Sequence, residues 1–529
     1  MTDGGSGNPP VVILREETEV TSGTAVQEKL ISAAQVFSDL LRPTYGPRGL
    51  DKMLYKTDGT TAVTNDGAKI VAELMVKHPA AKMFTSLAES QETACGDGVT
   101  GCLLLCGELL IEGQRMLSKG LHPLTIVDGY RSALAIALSS IESSVIGCGP
   151  KDLEILHSVA MTALTGKGAE GSREHLAELI VQAATSVYRI EDDKVRCDAE
   201  DVWMHTSGRG NLSNSHLISG VVMRHRILSD ALPELIIDAK VATLSCDIKF
   251  RKQKRDAEIE IEEVSQLDAF IDAEEAQRDE IAKTLLATGA TAIFSSGEVD
   301  RGILHRLMEQ DIFIASEVDV KQLRNISVAT SSQVVEVISD LSPTDLGFAG
   351  RITTERRSES DKVEDIITID ECKSPKLVTL VVGGGNQTAS EEAVRALFDA
   401  LRSTNTALLG EGVLTGGGAI YLTSSLAIRS ASEMESGRER ISMEAFARAL
   451  EVIPISLAAN AGADSLDRIL EARAAHRNGQ SDAGILPDGT VGAVGALEPA
   501  ASVAHALEAA CDICCSMLRI DQVVSARGD

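Results

Sequence analysis

Residues 94–101 read ACGDGVTG, which places the Asp97 carboxylate between two glycines and Thr100 two places after the second. Downstream, apolar residues at Leu103, Leu104, Leu105, Leu109, Leu110 and Ile111 give the pattern of a buried helix. Asp97 therefore falls at a helix mouth, where free backbone N–H groups and the positive dipole end favour an anion. Glycines let backbone approach phosphate closely. A carboxylate beside phosphate binds through Mg2+, a hard cation that takes oxygen ligands. Alone, the stretch reads equally as a plain turn, because glycine marks turns in general.

Other candidates share this setting. Asp66, in VTNDGAKI, lies on a turn that turn chemistry by itself would explain. Lys167, in LTGKGAE, sits in a loop from which it could reach a γ-phosphate or simply be solvated. Asp399, in VRALFDAL, is either exposed on a helix edge or held in a site. Gly416-Gly417-Gly418 would allow backbone to approach a nucleotide, and Gly46-Pro47 opens the turn-rich GPRG. None is specific singly. Cys511 and Cys514 form a CxxC beside Cys515, but no second pair follows at zinc spacing, so core cysteines are expected. Gly383-Gly384-Gly385 lacks the strand–helix setting of a dinucleotide fingerprint.

The elements that must position these residues come in three blocks. The chain of 529 residues is too long for one core, and its 44% apolar content with only 3% aromatics predicts cores built on Ala, Val, Leu and Ile. From about Thr24 to Ser144 the pattern is helical, with a hairpin or strand–turn–helix over LYKTDGTTAVTNDGAKIV. From Gly220 to about Gly350, GVVMRH, ELIIDAKVATLSCDI and ATAIFSSG read as strands with helices between them, an α/β domain. Within it, residues 265–286 carry a helical stripe of Leu267, Phe270, Ile271, Ile281 and Leu285. Glu274 and Arg278 interrupt the stripe, so the helix centre is expected to leave its core. Residues 403–529 are again helical. The simplest architecture makes the two ends one domain with the middle inserted.

Net charge is −28, which argues against nucleic acid or an anionic membrane as the main partner. Ten scattered cysteines suit a reducing compartment. The start, MTDGGSGNPP, reads as disordered and has no signal-peptide pattern. The longest uncharged run, Gly412 to Ile428, is too rich in Gly, Ser and Thr for a membrane span. A cytoplasmic protein is expected.

In this order, the stretches YGPRGLDKML (45–54), VTNDGA (63–68), VKHPAAK (76–82), GDGVT (96–100), MTALTGKGAE (161–170), SPTDLGFAG (342–350), FDAL (398–401), GGGA (416–419), NAGADSLD (460–467) and LRIDQVVSA (518–526) resemble the group II chaperonins, the archaeal thermosome and its eukaryotic cytosolic relatives. The resemblance covers nearly the whole chain. It implies a multidomain fold: a mainly α equatorial domain (1–144 and 403–529), an α+β intermediate domain (145–215 and 366–402) and an α/β apical domain (216–365) with a helical protrusion near 246–286. It also implies ATP and Mg2+, a double ring of self or paralogous subunits with eight or nine per ring, and non-native client proteins enclosed by a built-in lid.

Carried over position by position, Asp97 resembles the Mg2+ ligand. Gly98, Val99, Thr100 and Gly101 resemble the phosphate cradle, with Gly46 and Pro47 in the loop facing the nucleotide. Asp66 and Asp399 resemble the carboxylates that position and activate the attacking water. Lys167 resembles a sensor of the γ-phosphate, and Gly417 a backbone contact near the ribose. The sequence also departs from the family. Val99 and Gly101 stand where hydroxyl residues are usual, Tyr421 where Glu is usual, Tyr45 where Leu is usual, and the GTVGAVGALEP stretch lacks the usual ribose Asp. Two readings follow: an ATP-dependent folding subunit, slow in turnover, or an ATPase-poor structural subunit of a mixed ring. A small-molecule ATP-using enzyme is a third, with no substrate-pocket signature behind it.

Overall fold

The computed structural model describes residues 19–22, 24–55, 61–73, 79–167, 170–192, 194–249, 264–359, 362–373, 375–385, 387–410 and 412–525. The expected disorder at 1–10, the first residues of VKHPAAK and positions 250–263 of the expected protrusion lie outside them. The content is mixed helix and sheet, divided into two compact units: residues 1–167 with 406–529, and residues 168–405.

The first unit is a helical body. Helices Thr24–Leu41, Pro79–Cys95, Val99–Ser118, Pro123–Ser144, Glu439–Leu450 and Ala500–Leu518 supply most of one continuous core. Leu, Ala, Ile and Val make up most of it, as the low aromatic content requires, and Ala133, Ala137, Ala449, Ala506 and Ala510 keep the packed helix faces small. The few aromatics pair: Tyr130 meets Phe446 edge-on at 5.6 Å, and its hydroxyl donates to the Leu109 carbonyl at 2.8 Å. Cys511, Cys514 and Cys515 are buried in this core. Helices Pro123–Ser144 and Ala500–Leu518 are long and apolar enough to cross a membrane, yet both bury side chains here.

Residues 145–167 belong to this unit, so it extends past 144, where the sequence pattern changes. Ile146 pairs with Val413. Helix Leu153–Leu164 is then fastened by Ser158 Oγ donating to Gly495 O at 2.6 Å and by Leu497 N–H donating to Thr162 Oγ1 at 3.2 Å. Two small strand pairs flank the body. Lys52–Tyr55 pairs with Thr61–Thr64, and Glu19–Ser22 pairs with Gln522–Ser525, both antiparallel.

The second unit is α/β. Its larger sheet runs Phe313–Ala315, Ala292–Ser295, Leu235–Leu244, Gly347–Glu359, Lys362–Asp370, Val221–Arg224, with Val334–Val335 also on Leu235–Leu244. The charged stretch after Arg351 is the long hairpin of this same sheet, with Arg351 opposite Asp370. A separate three-stranded sheet joins Val202–Thr206 and His216–Ile218 to Val378–Val382. The interrupted helix spans Val264–Ala287. Leu285 is buried, and the central Arg278 pairs with Glu274 at 3.2 Å and Asp300 at 3.3 Å. Asp279 pairs with Arg306. The break in the stripe is therefore ion-paired to the neighbouring helix Arg301–Met308 and its capping Asp300, and, as expected, none of residues 272–280 is buried.

Candidate functional site

Asp97 lies between Gly96 (φ 76°) and Gly98 (φ 82°), both left-handed. Gly98 is the residue before helix Val99–Ser118, and its conformation favours glycine because a Cβ is strained there. The turn leaves Asp97 half-buried at the helix mouth. Behind it the helix is anchored by Val99, Cys102, Leu103, Leu104 and Leu105, all buried in the core. Val99 thus spends its side chain inward, so at this position only backbone can meet an anion. Thr100 is half-buried on the open side. Gly101 sits under the Tyr45 ring, whose hydroxyl lies 3.5 Å from where a Cβ at Gly101 would stand.

Four other segments close on this loop. Helix Gly67–Glu73 begins against Thr100. Asp66 precedes that helix, and its Oδ1 accepts from Ala68 N–H at 3.0 Å, so the acid is part of a cap. Asn65 donates its amide to the Gly166 carbonyl. Gly166 in turn faces the carbonyl of Gly46 and the Cα of Pro47. This places Lys167 over the loop, with Nζ 3.8 Å from Asp97 Oδ1. The Gly46–Pro47 turn is held by Asn460, which donates to Arg42 O at 2.8 Å and Tyr45 O at 2.7 Å. The fourth segment is Gly416–Gly418. Gly417 O accepts from Ile485 N–H at 2.9 Å, and Gly418 precedes helix Ala419–Ser432.

Of the residues picked out in sequence, Gly46, Pro47, Asp66, Asp97, Gly98, Val99, Thr100, Gly101, Lys167 and Gly417 all lie in the first unit. Asp399 lies in the second, half-buried on helix Gln387–Leu409.

Two residues at the site escaped sequence reasoning. Glu498 reaches it through the pairing of Val413–Thr415 with Leu497–Pro499, which sets Leu414 opposite Glu498. Its Oε1 comes 2.9 Å from the Cβ position of Gly416. Burial first, and then the Asp97 charge, push this carboxyl up to about 7. Burial also raises Tyr45, with Glu498 and Asp97 adding to it, and raises Tyr421, with Glu498 and Tyr45 adding. Both phenols are therefore neutral donors. The second residue is Gln91, fully buried on helix Pro79–Cys95. The signal for Glu498 was an acid directly before the proline of the last long helix.

Among the described residues no three His, Cys, Asp or Glu side chains cluster closely enough to hold a metal by themselves. An ion at Asp97 would complete its shell with phosphate oxygens and water, the habit of Mg2+. Oxygen donors only, a helix mouth and a lysine fit that group. The arrangement can hold a polyphosphate through backbone N–H groups, balance it with Lys167 and offer carboxylates to a water.

Fold and site define a class: a helical unit built from both chain ends carries a phosphate-type loop, and an α/β unit is inserted between those ends. The chain belongs to the TCP-1/cpn60 chaperonin family, whose model matches residues 37–528. It is 37% identical over 521 residues to a thermosome subunit of Methanopyrus kandleri, covering 98% of this chain and 95% of that one. It is 34% identical to thermosome subunit alpha of Archaeoglobus fulgidus, covering 98% and 95%. Thermosome subunit 1 of Haloferax volcanii is 35% identical, covering 98% and 92%.

Proposed function

We propose that this chain is an ATP-hydrolysing chaperonin subunit that binds non-native proteins in a double-ring cavity and couples nucleotide turnover to closure of a lid. The convergence of Asp66, Asp97, Thr100 and Lys167 at one helix mouth carries the reading. ATP is the substrate. Backbone N–H groups from Gly98 to Gly101 would cradle its phosphates, and Asp97 would hold Mg2+, which neutralises phosphate charge when bound. Lys167 senses the terminal phosphate while paired to Asp97. Asp66 gives one oxygen to its cap and keeps the other for a water, and Asp399 is the second carboxylate of water activation. Positioned carboxylates and a held metal are what phosphoryl transfer mostly needs.

The exposed hairpin Lys52–Tyr55/Thr61–Thr64 supports assembly with self or paralogous subunits, eight or nine to a ring. Met53 and Tyr55 are 73% and 76% exposed, with Val63 opposite Met53 on the same face. A short exposed strand pair with an apolar face is a natural docking edge. The charge of −28 and the cysteine pattern support a cytoplasmic protein without nucleic-acid or membrane partners.

A second reading, a slow or structural subunit in a mixed ring, has its own observation. With Val99 turned inward and Gly101 bare, Thr100 is the one hydroxyl residue between Gly98 and Gly101. Calorimetric titration of the assembled protein with Mg·ATP, beside Asp97→Asn, tests the binding step common to both. Heat of binding that Asp97→Asn abolishes supports the site. No binding by the unaltered protein refutes it.

A further inference from the structure

We propose that Gln91 is a positioning residue for the Asp97 loop, pinning its backbone to the C-terminal helix. The inference rests on the proposed reading of that loop as the phosphate and Mg2+ site. Gln91 lies on helix Pro79–Cys95, one turn before the loop, and is fully buried. Its Nε2 donates to Asp97 O at 3.0 Å and to Ser502 O at 3.2 Å. Its Oε1 lies 2.7 Å from His505 Nδ1.

The hydrogen-bond count closes. A primary amide has two N–H donors and one carbonyl oxygen. Both donors face carbonyl oxygens, which can only accept, so the amide has one orientation. Oε1 must then accept, and His505 Nδ1 must carry a hydrogen. That hydrogen is present in the Nδ1–H tautomer and in imidazolium alike. Burying an amide is unfavourable unless its groups are paired. Here all three are paired, and two of the bonds run more than four hundred residues along the chain.

The placement suits a role in the site. The same nitrogen lies 3.2 Å from the Cβ position of Gly98 and so backs the left-handed turn that presents Asp97. Ser502 is four residues after Glu498, so one side chain ties Asp97 to the segment that carries the site's buried acid. A side chain that served only to fill space would be apolar. Gln91 instead fixes the backbone carbonyl of the very residue whose carboxylate must hold its place.

The test measures Mg2+ half-saturation, KM for ATP and kcat of assembled protein carrying Gln91→Leu, Gln91→Glu, His505→Ala or His505→Asn. Gln91→Glu keeps the shape but sets oxygen against two carbonyls. Both Gln91 variants are expected to raise Mg2+ half-saturation and KM about tenfold or more. His505→Ala, which leaves the helix contacts intact, is expected to raise them about threefold, and His505→Asn, which retains a donor near Nδ1, to restore them. Variants that lose thermal stability but keep Mg2+ half-saturation and KM unchanged would show a purely structural role and overturn the proposal. If the Gln91 variants do not assemble, unchanged values in His505→Ala overturn it equally. Absence of Mg·ATP binding in the unaltered protein would instead remove the parent reading, and this inference with it.

Discussion

Thr100 stands in the space that a side chain at position 67 would need: a Cβ on Gly67 would lie 2.4 Å from Thr100 Oγ1. The Asp66 turn and the Asp97 loop are thus pressed together, and their spacing is set by the absence of one methyl group. Gly67→Ala is expected to push the two apart at a cost of about 1–3 kcal/mol. Calorimetry should show a lower Tm, and nucleotide titration a weaker site. Unchanged affinity would mean that the loop spacing is immaterial.

Glu498 gives the fold a pH dependence with a defined sign. Its carboxyl is held at about 7 in the folded chain against an ordinary 4.5. Folding therefore favours the protonated form. This contribution is complete below pH 4.5, is lost between 4.5 and 7, and stays lost above that. Glu498→Gln lacks the titration. Relative to it, the unaltered protein should lose about 3 kcal/mol across that window. Parallel stability curves for the two proteins would contradict the assignment.

A buried acid elsewhere is structural. Glu451, 4% exposed, accepts from Ser425 Oγ at 3.0 Å, Arg429 at 3.2 Å and Arg473 Nε at 2.8 Å. Glu451→Ala strands two arginines and should cost about 3–5 kcal/mol, read as a fall in the thermal midpoint of the helical unit. ATP affinity in protein that remains folded should change little.

The exposed hairpin predicts an assembly defect without a folding defect. Met53→Lys with Tyr55→Lys should shift the protein from large assemblies towards single subunits in light scattering, with circular dichroism unchanged. Intact assemblies would place the ring contact elsewhere.

What the sequence displayed and what it hid divide along physical lines. The glycine turns that carry Asp66, Asp97, Thr100 and Lys167 could be picked out from local residue types, and the structure brings these four residues to one helix mouth. The helices and strands were legible from periodicity, including the hairpin before Gly67 and the strand at 235–244. Gln91 and Glu498 were not, because each matters through partners hundreds of residues away. The inward turn of Val99 follows from helix phase, which the first residue of a helix does not reveal. Arg278 looked like a break in an apolar stripe because its partner Asp300 caps a different helix. Residues 145–167 fall with the first compact unit, and the side-chain bonds that bind Ser158 to Gly495 and Thr162 to Leu497 leave no trace in local pattern.

The central proposal is that Asp66, Asp97 and Asp399 serve ATP hydrolysis. Its most direct test is Mg2+-dependent ATP hydrolysis by the assembled protein, across a range of K+ concentrations, beside Asp399→Ala. The account predicts hydrolysis that Asp399→Ala abolishes while Mg·ATP binding persists. Intact assemblies that bind Mg·ATP but hydrolyse none, with or without Asp399, would contradict it.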